Sequence, residues 1–240
     1  MKTKITLVSL LFFASVCLQA QNASKVNLSL GADIASSYLW RGIPQGSMPA
    51  LQPWGELSYK GFTLGTWGSY EISNTFKEID IYAKYTLSSF SLQFIDLFFP
   101  EYPGLNPNYF NFKKRETSHA AELALSFNGT EKIPFSVYAG MMIYGSTIDP
   151  VGQNYGRLNN STYFEVNYMG AINDVNCNVF LGFTPSESTL YGSTGFSVIN
   201  VGVSAKKSIK FTEHFSLPLK LTIAANPEAN KLYLAAVVSL

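Results

Sequence analysis

The chain has 240 residues, with 17 Lys and Arg against 16 Asp and Glu, a net charge of +1, 14% charged residues and 15% aromatic ones. Near-neutrality, with Lys113-Lys114-Arg115 and Lys206-Lys207 as short basic runs, argues against nucleic acid as a partner. The charged fraction is well below the roughly one quarter of ordinary soluble domains, so few charges with many aromatics suit a membrane barrel wall better than a soluble surface.

Met1 to Ala20 opens on Lys2 and Lys4, continues through an apolar run from Ile5 to Val16, and closes on Leu18-Gln-Ala. This reads as a secretory signal peptide cleaved after Ala20, too short for a spanning helix. Cys17 is poorly placed for lipidation because Val16 precedes it. Removing the segment leaves Cys177 alone, so no intramolecular disulfide is expected in residues 21–240, which read as one domain.

From Val26 onward, alternating stretches are separated by Gly, Asn, Pro, Ser and charged residues. They predict twelve strands: Val26 to Trp40, Ala50 to Tyr59, Phe62 to Ile72, Glu78 to Thr86, Phe90 to Phe98 and Ser118 to Phe127, then Ile133 to Tyr144, Thr162 to Met169, Val175 to Thr184, Gly195 to Ala205, Phe215 to Ala225 and Lys231 to Leu240. The links sort by length, except that those near Asn74 and Asn226 on the long-loop end are short. Lys60-Gly61, Leu87-Ser-Ser89, 128–132, 170–174 and the link after Ala205 are short, whereas 41–49, 99–117, 145–161 and 185–194 are long. Such sorting is expected of an all-β, transmembrane, antiparallel up-and-down barrel with short periplasmic turns and long extracellular loops. A soluble sandwich has no physical reason to sort its loops this way.

Side chains alternate faces along a strand, so the apolar set is assigned to lipid and the polar set to the lumen. In the first strand Asn27, Ser29, Gly31, Asp33 and Ser37 point in, and Leu28, Leu30, Ile34, Tyr38 and Trp40 point out. The octet from Glu78 to Tyr85 separates Glu78, Asp80 and Lys84 from Ile79, Ile81, Ala83 and Tyr85. The lumen and constriction candidates are Arg41, Glu56, Trp67, Glu71, Glu78, Asp80, Lys84, Glu122, Glu165 and Lys220. Asp96 falls on the lipid face near its rim, which predicts a bulge or register change in that strand. Leu232, Leu234, Ala236, Val238 and Leu240 alternate up to the final residue, as in the terminal strand that barrel-assembly machinery reads, although Leu240 stands where an aromatic residue is common.

Carboxylates outnumber cations in the inward set. That composition fits either a cation-preferring pore or an ion network that fills the barrel, and twelve strands permit both. No metal-ligand spacing, phosphate loop or Gly-x-Ser-x-Gly elbow occurs, so no cofactor and no catalytic residue is assigned. Ser118-His119 invites comparison with outer-wall lipid hydrolases, but adjacent strand residues face opposite ways, so His119 reads as a rim residue.

The stretch from Ser37 to Gln45, then Pro49-Ala-Leu-Gln52, Gly61 to Ser69 and Glu78-Ile-Asp-Ile-Tyr82, contains a Tyr-x-x-Arg-Gly turn, a Trp-x-Ser strand and a Glu-x-Asp-x-Tyr strand in that order. This resembles the TorF family of porin-like proteins of Gram-negative bacteria; departures lie at Pro44, Ala83 and Phe98-Phe99. The resemblance implies an outer-membrane barrel with a transport role and supplies no substrate. The expected function is a porin-like channel for passive diffusion of small hydrophilic solutes or ions, with membrane lipid as its surroundings. A non-conducting barrel and a lipid hydrolase are the alternatives.

Overall fold

The computed structural model describes residues 26–101, 105–113, 116–145, 160–213 and 215–240. The expected signal peptide, Cys17, His214 and most of the 145–161 loop lie outside them. The strands are β1 (Asn27–Ala35), β2 (Tyr38–Trp40), β3 (Ile43–Gln45), β4 (Ala50–Tyr59), β5 (Phe62–Glu71), β6 (Lys77–Leu87) and β7 (Phe90–Phe98). They continue with β8 (His119–Phe127), β9 (Phe135–Gly145), β10 (Thr162–Ile172), β11 (Val175–Thr184), β12 (Ser197–Lys210), β13 (Ser216–Asn226) and β14 (Lys231–Ser239). Twelve of them, β1 and β4 to β14, form a closed antiparallel barrel in sequence order, with β2 and β3 as a separate two-stranded sheet.

Closure follows from the alternation. Leu30 is 72% exposed and Leu64, Leu92 and Leu125 are exposed with it, while Gly65, Ser91 and Ala124, adjacent to the last three, are buried. The apolar surface therefore lies outside and the polar residues inside, the reverse of a water-soluble barrel. Two-residue turns join the strands at one end: Lys60 and Gly61 both take positive φ (45° and 86°), as a type I′ hairpin requires.

Pro53 lies within β4 on the outer face. It has no N–H to donate, and the β4–β5 register passes from Leu51↔Tyr70 to Trp54↔Trp67 without ladder pairs at Gln52 and Pro53. The seam between first and last strands is short. β1 pairs with β14 at Asp33↔Ser239, Ile34↔Val238 and Ala35↔Val237, extended by hydrogen bonds from Ser36 N to Ala236 O (2.8 Å) and from Leu240 N to Ala32 O (2.8 Å).

Two expectations fail here. The first strand ends at Ala35 instead of Trp40, because the chain turns off the wall and enters the barrel as β2 and β3. Tyr38 and Trp40 are thus interior residues, not lipid-facing ones. Around Asp96 the register with β6 and β8 is regular, so the expected bulge is absent. The charge is met differently: Nδ1 of His119 lies 2.9 Å from both Asp96 oxygens, and Nε2 lies 2.7 Å from the Tyr109 carbonyl. Phe98, Tyr109 and Phe112 pack their rings on His119, covering the pair on the outer wall.

The register shifts that do occur lie between Ala121 and Glu122 of β8 and between Gly182 and Phe183 of β11. The second leaves Ile199 of β12 without a partner on β11, between Asn200↔Gly182 and Val198↔Phe183. A bulge re-aims side chains, and here both Ile199 and Asn200 are buried.

Candidate functional site

The site begins with the Tyr-x-x-Arg-Gly sequence. Trp40 pairs with Ile43, leaving Arg41-Gly42 as the two-residue turn, and both take positive φ (50° and 74°). A type I′ turn demands this, which glycine meets freely and arginine meets at some strain. The turn delivers the Arg41 guanidinium to the far side of the lumen.

There it donates to both carboxylate oxygens of Glu122 on β8, at 2.6 and 2.8 Å, and to the hydroxyls of Tyr138 (2.8 Å) and Tyr191 (2.7 Å). The fork-to-fork geometry is the strong form of an arginine–carboxylate pair. The guanidinium also lies over the rings of Trp40 (4.6 Å), Tyr163 (4.6 Å) and Tyr138 (5.1 Å). Tyr191 sits in the connection between β11 and β12. Its burial pushes the hydroxyl pKa up, so it stays neutral beside the guanidinium.

The rest of the hairpin is pinned from several strands. The Asn226 amide donates to the Gly42 carbonyl (3.2 Å), and a Cβ on Gly42 would lie 2.1 Å from the Ile199 carbonyl oxygen. Ile199, Tyr163 and Tyr191 form an apolar cluster against which Trp40, Ile43, Tyr138 and Leu190 pack. On the near side, Tyr38 packs on Trp67 (5.1 Å) and lies beside the Glu78 carboxylate. The returning leg is held by Glu71, which accepts from the amides of Ser47 and Met48 and the hydroxyls of Ser73 and Thr75.

Around the hairpin, inward glycines make room for large side chains. Added Cβ atoms on Gly31, Gly65 and Gly182 would strike Trp54, Tyr82 and Tyr163, respectively. Tyr82 uses the space to donate to Glu56 (2.7 Å), and Lys84 lies 3.7 Å from the same carboxylate. Glu165 accepts from Tyr163, from Asn167 (3.1 Å) and from Asn200 (3.0 Å).

Among the described residues, two interior cavities share Tyr38, Arg41 and Glu165 as walls. The larger, about 490 Å³, runs along β1 and β10 to β14 past Asp33, Asn167, Asn178, Lys206 and Lys220. The smaller, about 340 Å³, runs along β5 to β10 past Trp67, Asp80, Gln93, Leu97 and Glu122. Lysines and carboxylates thus border the larger cavity, whereas carboxylates and aromatics without a lysine border the smaller.

The ten expected lumen residues fall into groups. Arg41 with Glu122, and Tyr38 with Trp67 and Glu78, fix the hairpin; Glu56 with Lys84 forms a separate pair. Lys220 and Glu165 line the larger cavity, and Asp80 the smaller. Glu71 anchors the hairpin's return at the strand end instead of lining a constriction. Tyr191 and Ile199 were absent from the expected site, because an outer loop and a bulge bring them there, whereas Tyr138 faces inward by the plain alternation of β9. The hairpin itself had a legible signal: Arg-Gly between the alternating triplets Tyr38-Leu-Trp40 and Ile43-Pro-Gln45.

The fold and site define a closed twelve-stranded antiparallel barrel, apolar outside and polar within, with an inward hairpin across its lumen. Residues 19–207 match the family described as "Bacterial protein of unknown function (Gcw_chp)", and the chain belongs to that family. No curated protein matches the chain. Among solved structures, it is similar to the crystal structure of an outer membrane channel from Pseudomonas putida F1, with 12% identity, a TM-score of 0.42, and coverage of 90% of this chain and 94% of that one.

Proposed function

We propose that this chain is an outer-membrane channel for passive diffusion of small hydrophilic solutes or ions, partitioned by the Tyr38–Gln45 hairpin. The observation that carries the reading is the inverted barrel: an apolar exterior around a polar interior that holds cavities of about 490 and 340 Å³ on the two sides of the hairpin. Water-soluble barrels bury their apolar residues, whereas a wall exposed to hydrocarbon must turn them outward. The short turns would face the periplasm and the long loops the cell exterior. Residues 1–20 would direct export, barrel-assembly machinery would insert the chain, and lipid would surround the wall. The TorF-like motifs support the same assignment, since the Tyr-x-x-Arg-Gly turn is the tip of the hairpin.

We assign the outer-wall histidine to structure and no catalysis to the chain. Both nitrogens of His119 face acceptors, on Asp96 and Tyr109, and the Ser118 hydroxyl donates to the Asn106 carbonyl (2.8 Å), so Ser118 and His119 do not pair as nucleophile and base. A second reading, a barrel permanently plugged by the hairpin, is favoured by the number of bonds on Arg41. Swelling of liposomes containing the folded chain separates the two. The channel reading expects swelling in isotonic small sugars that slows with sugar size; liposomes no faster than protein-free ones would favour the plug.

A further inference from the structure

We propose that the smaller cavity is a binding site for a small primary alkylammonium ion, with Asp80 as its counter-ion. The proposal deepens the channel reading and rests on it for the route by which such an ion arrives. It starts from one unanswered group. Asp80 is 4% exposed, lines this cavity, and has an oxygen, Oδ1, with no hydrogen-bond partner.

No side chain of the surrounding wall supplies that partner. The cross-strand neighbours of Asp80 are Trp67 on β5 and Leu97 on β7, both without charge. Arg41 is committed to Glu122 and Lys84 to Glu56, while Glu78, the next inward residue on β6, is itself a carboxylate turned toward Tyr38. A buried carboxylate with an unfilled acceptor is costly, and a mobile cation from the lumen relieves it.

The wall chemistry selects the kind of cation. Among the described residues, no group of three or more His, Cys, Asp or Glu side chains is arranged to hold a metal ion, and hard cations require several oxygen ligands. Trp67, Ile95 and Leu97 offer instead an aromatic face and an aliphatic surface beside the carboxylate. An ammonium group over an indole gains cation–π attraction, and an N–H is needed to fill the Oδ1 acceptor. A quaternary ammonium lacks the N–H, and a neutral alcohol lacks the charge. A primary ammonium on a short alkyl chain has both, with the chain placed on Ile95 and Leu97.

The test is calorimetric titration of the full chain, folded in detergent micelles, with n-butylammonium chloride at constant ionic strength set by KCl. Saturable binding is expected, with tetramethylammonium and 1-butanol each weaker by about tenfold or more, the factor for one charge-assisted hydrogen bond. Asp80→Asn should weaken butylammonium by a similar factor of about ten. If that variant does not fold, the ligand series on the unaltered chain decides. Equal binding of the three ligands, displacement of butylammonium by stoichiometric potassium, or no binding overturns the proposal. A barrel that conducts without binding butylammonium rejects this site alone, and one that binds without conducting rejects the channel alone.

Discussion

Replacing Arg41 by alanine removes the interaction on which the inward hairpin most depends, and its size follows from the geometry. Glu122 is 3% exposed and takes two hydrogen bonds from the guanidinium, at 2.6 and 2.8 Å. Truncating one partner of a buried ion pair leaves an uncompensated charge and costs about 3–5 kcal/mol. Tyr138 still donates to Glu122, so the lower end, about 3 kcal/mol, is expected. Removing both charges together, as in Arg41→Met with Glu122→Leu, leaves no orphan and should recover most of the loss. A double-mutant cycle built from urea unfolding in lipid vesicles, followed by tryptophan fluorescence, should therefore give a coupling of about 2–3 kcal/mol. A coupling below about 0.5 kcal/mol would show that the two groups act independently and that the hairpin is held by other contacts.

Other substitutions probe the hairpin and the wall separately. Gly42→Ala puts a methyl against the Ile199 carbonyl at a φ of 74°, so the turn cannot seat; a loss of about 1–3 kcal/mol is expected on unfolding, together with a larger single-channel current. Glu71→Ala takes the side-chain acceptor from the Ser47 and Met48 amides, whose hydrogen exchange should speed up by at least about tenfold while the β8 amides stay protected. His119→Ala empties the space beneath Tyr109 and Phe112, so residues 105–113 should become protease-sensitive. The channel current should be unchanged in that variant, and phospholipid hydrolysis should stay at the protein-free background.

Most of the wall was legible in the sequence because its physics is local. Leu28 and Leu30 alternate with Ser29 and Gly31, Ile79 and Ile81 with Glu78 and Asp80, and a period of two admits one assignment once lipid is outside. Turn chemistry at Lys60-Gly61 and the sorted link lengths then order the strands. The interior was less legible because it depends on contacts distant in sequence. Tyr38 and Trp40 keep the parity of the outward residues of β1, so periodicity carries them along the wall; their partners Glu78, Tyr163 and Tyr191 draw them inside. Asp96 looked like an error of register because the residue that answers it, His119, comes from the next strand and is itself held by Tyr109 of a loop. Arg41 and Glu122 both stood among the candidate charges, but their pairing across 81 positions required the hairpin.

The most direct measurement is single-channel conductance in a planar lipid bilayer, comparing the intact chain with a variant in which Tyr38–Gln45 is replaced by a short Gly-Ser link between Ser37 and Gly46. Discrete current steps are expected for the intact barrel and larger steps for the variant, whose two cavities merge. Steps of equal size would contradict the hairpin as partition, and a folded barrel that gives no current in either form would contradict the channel itself.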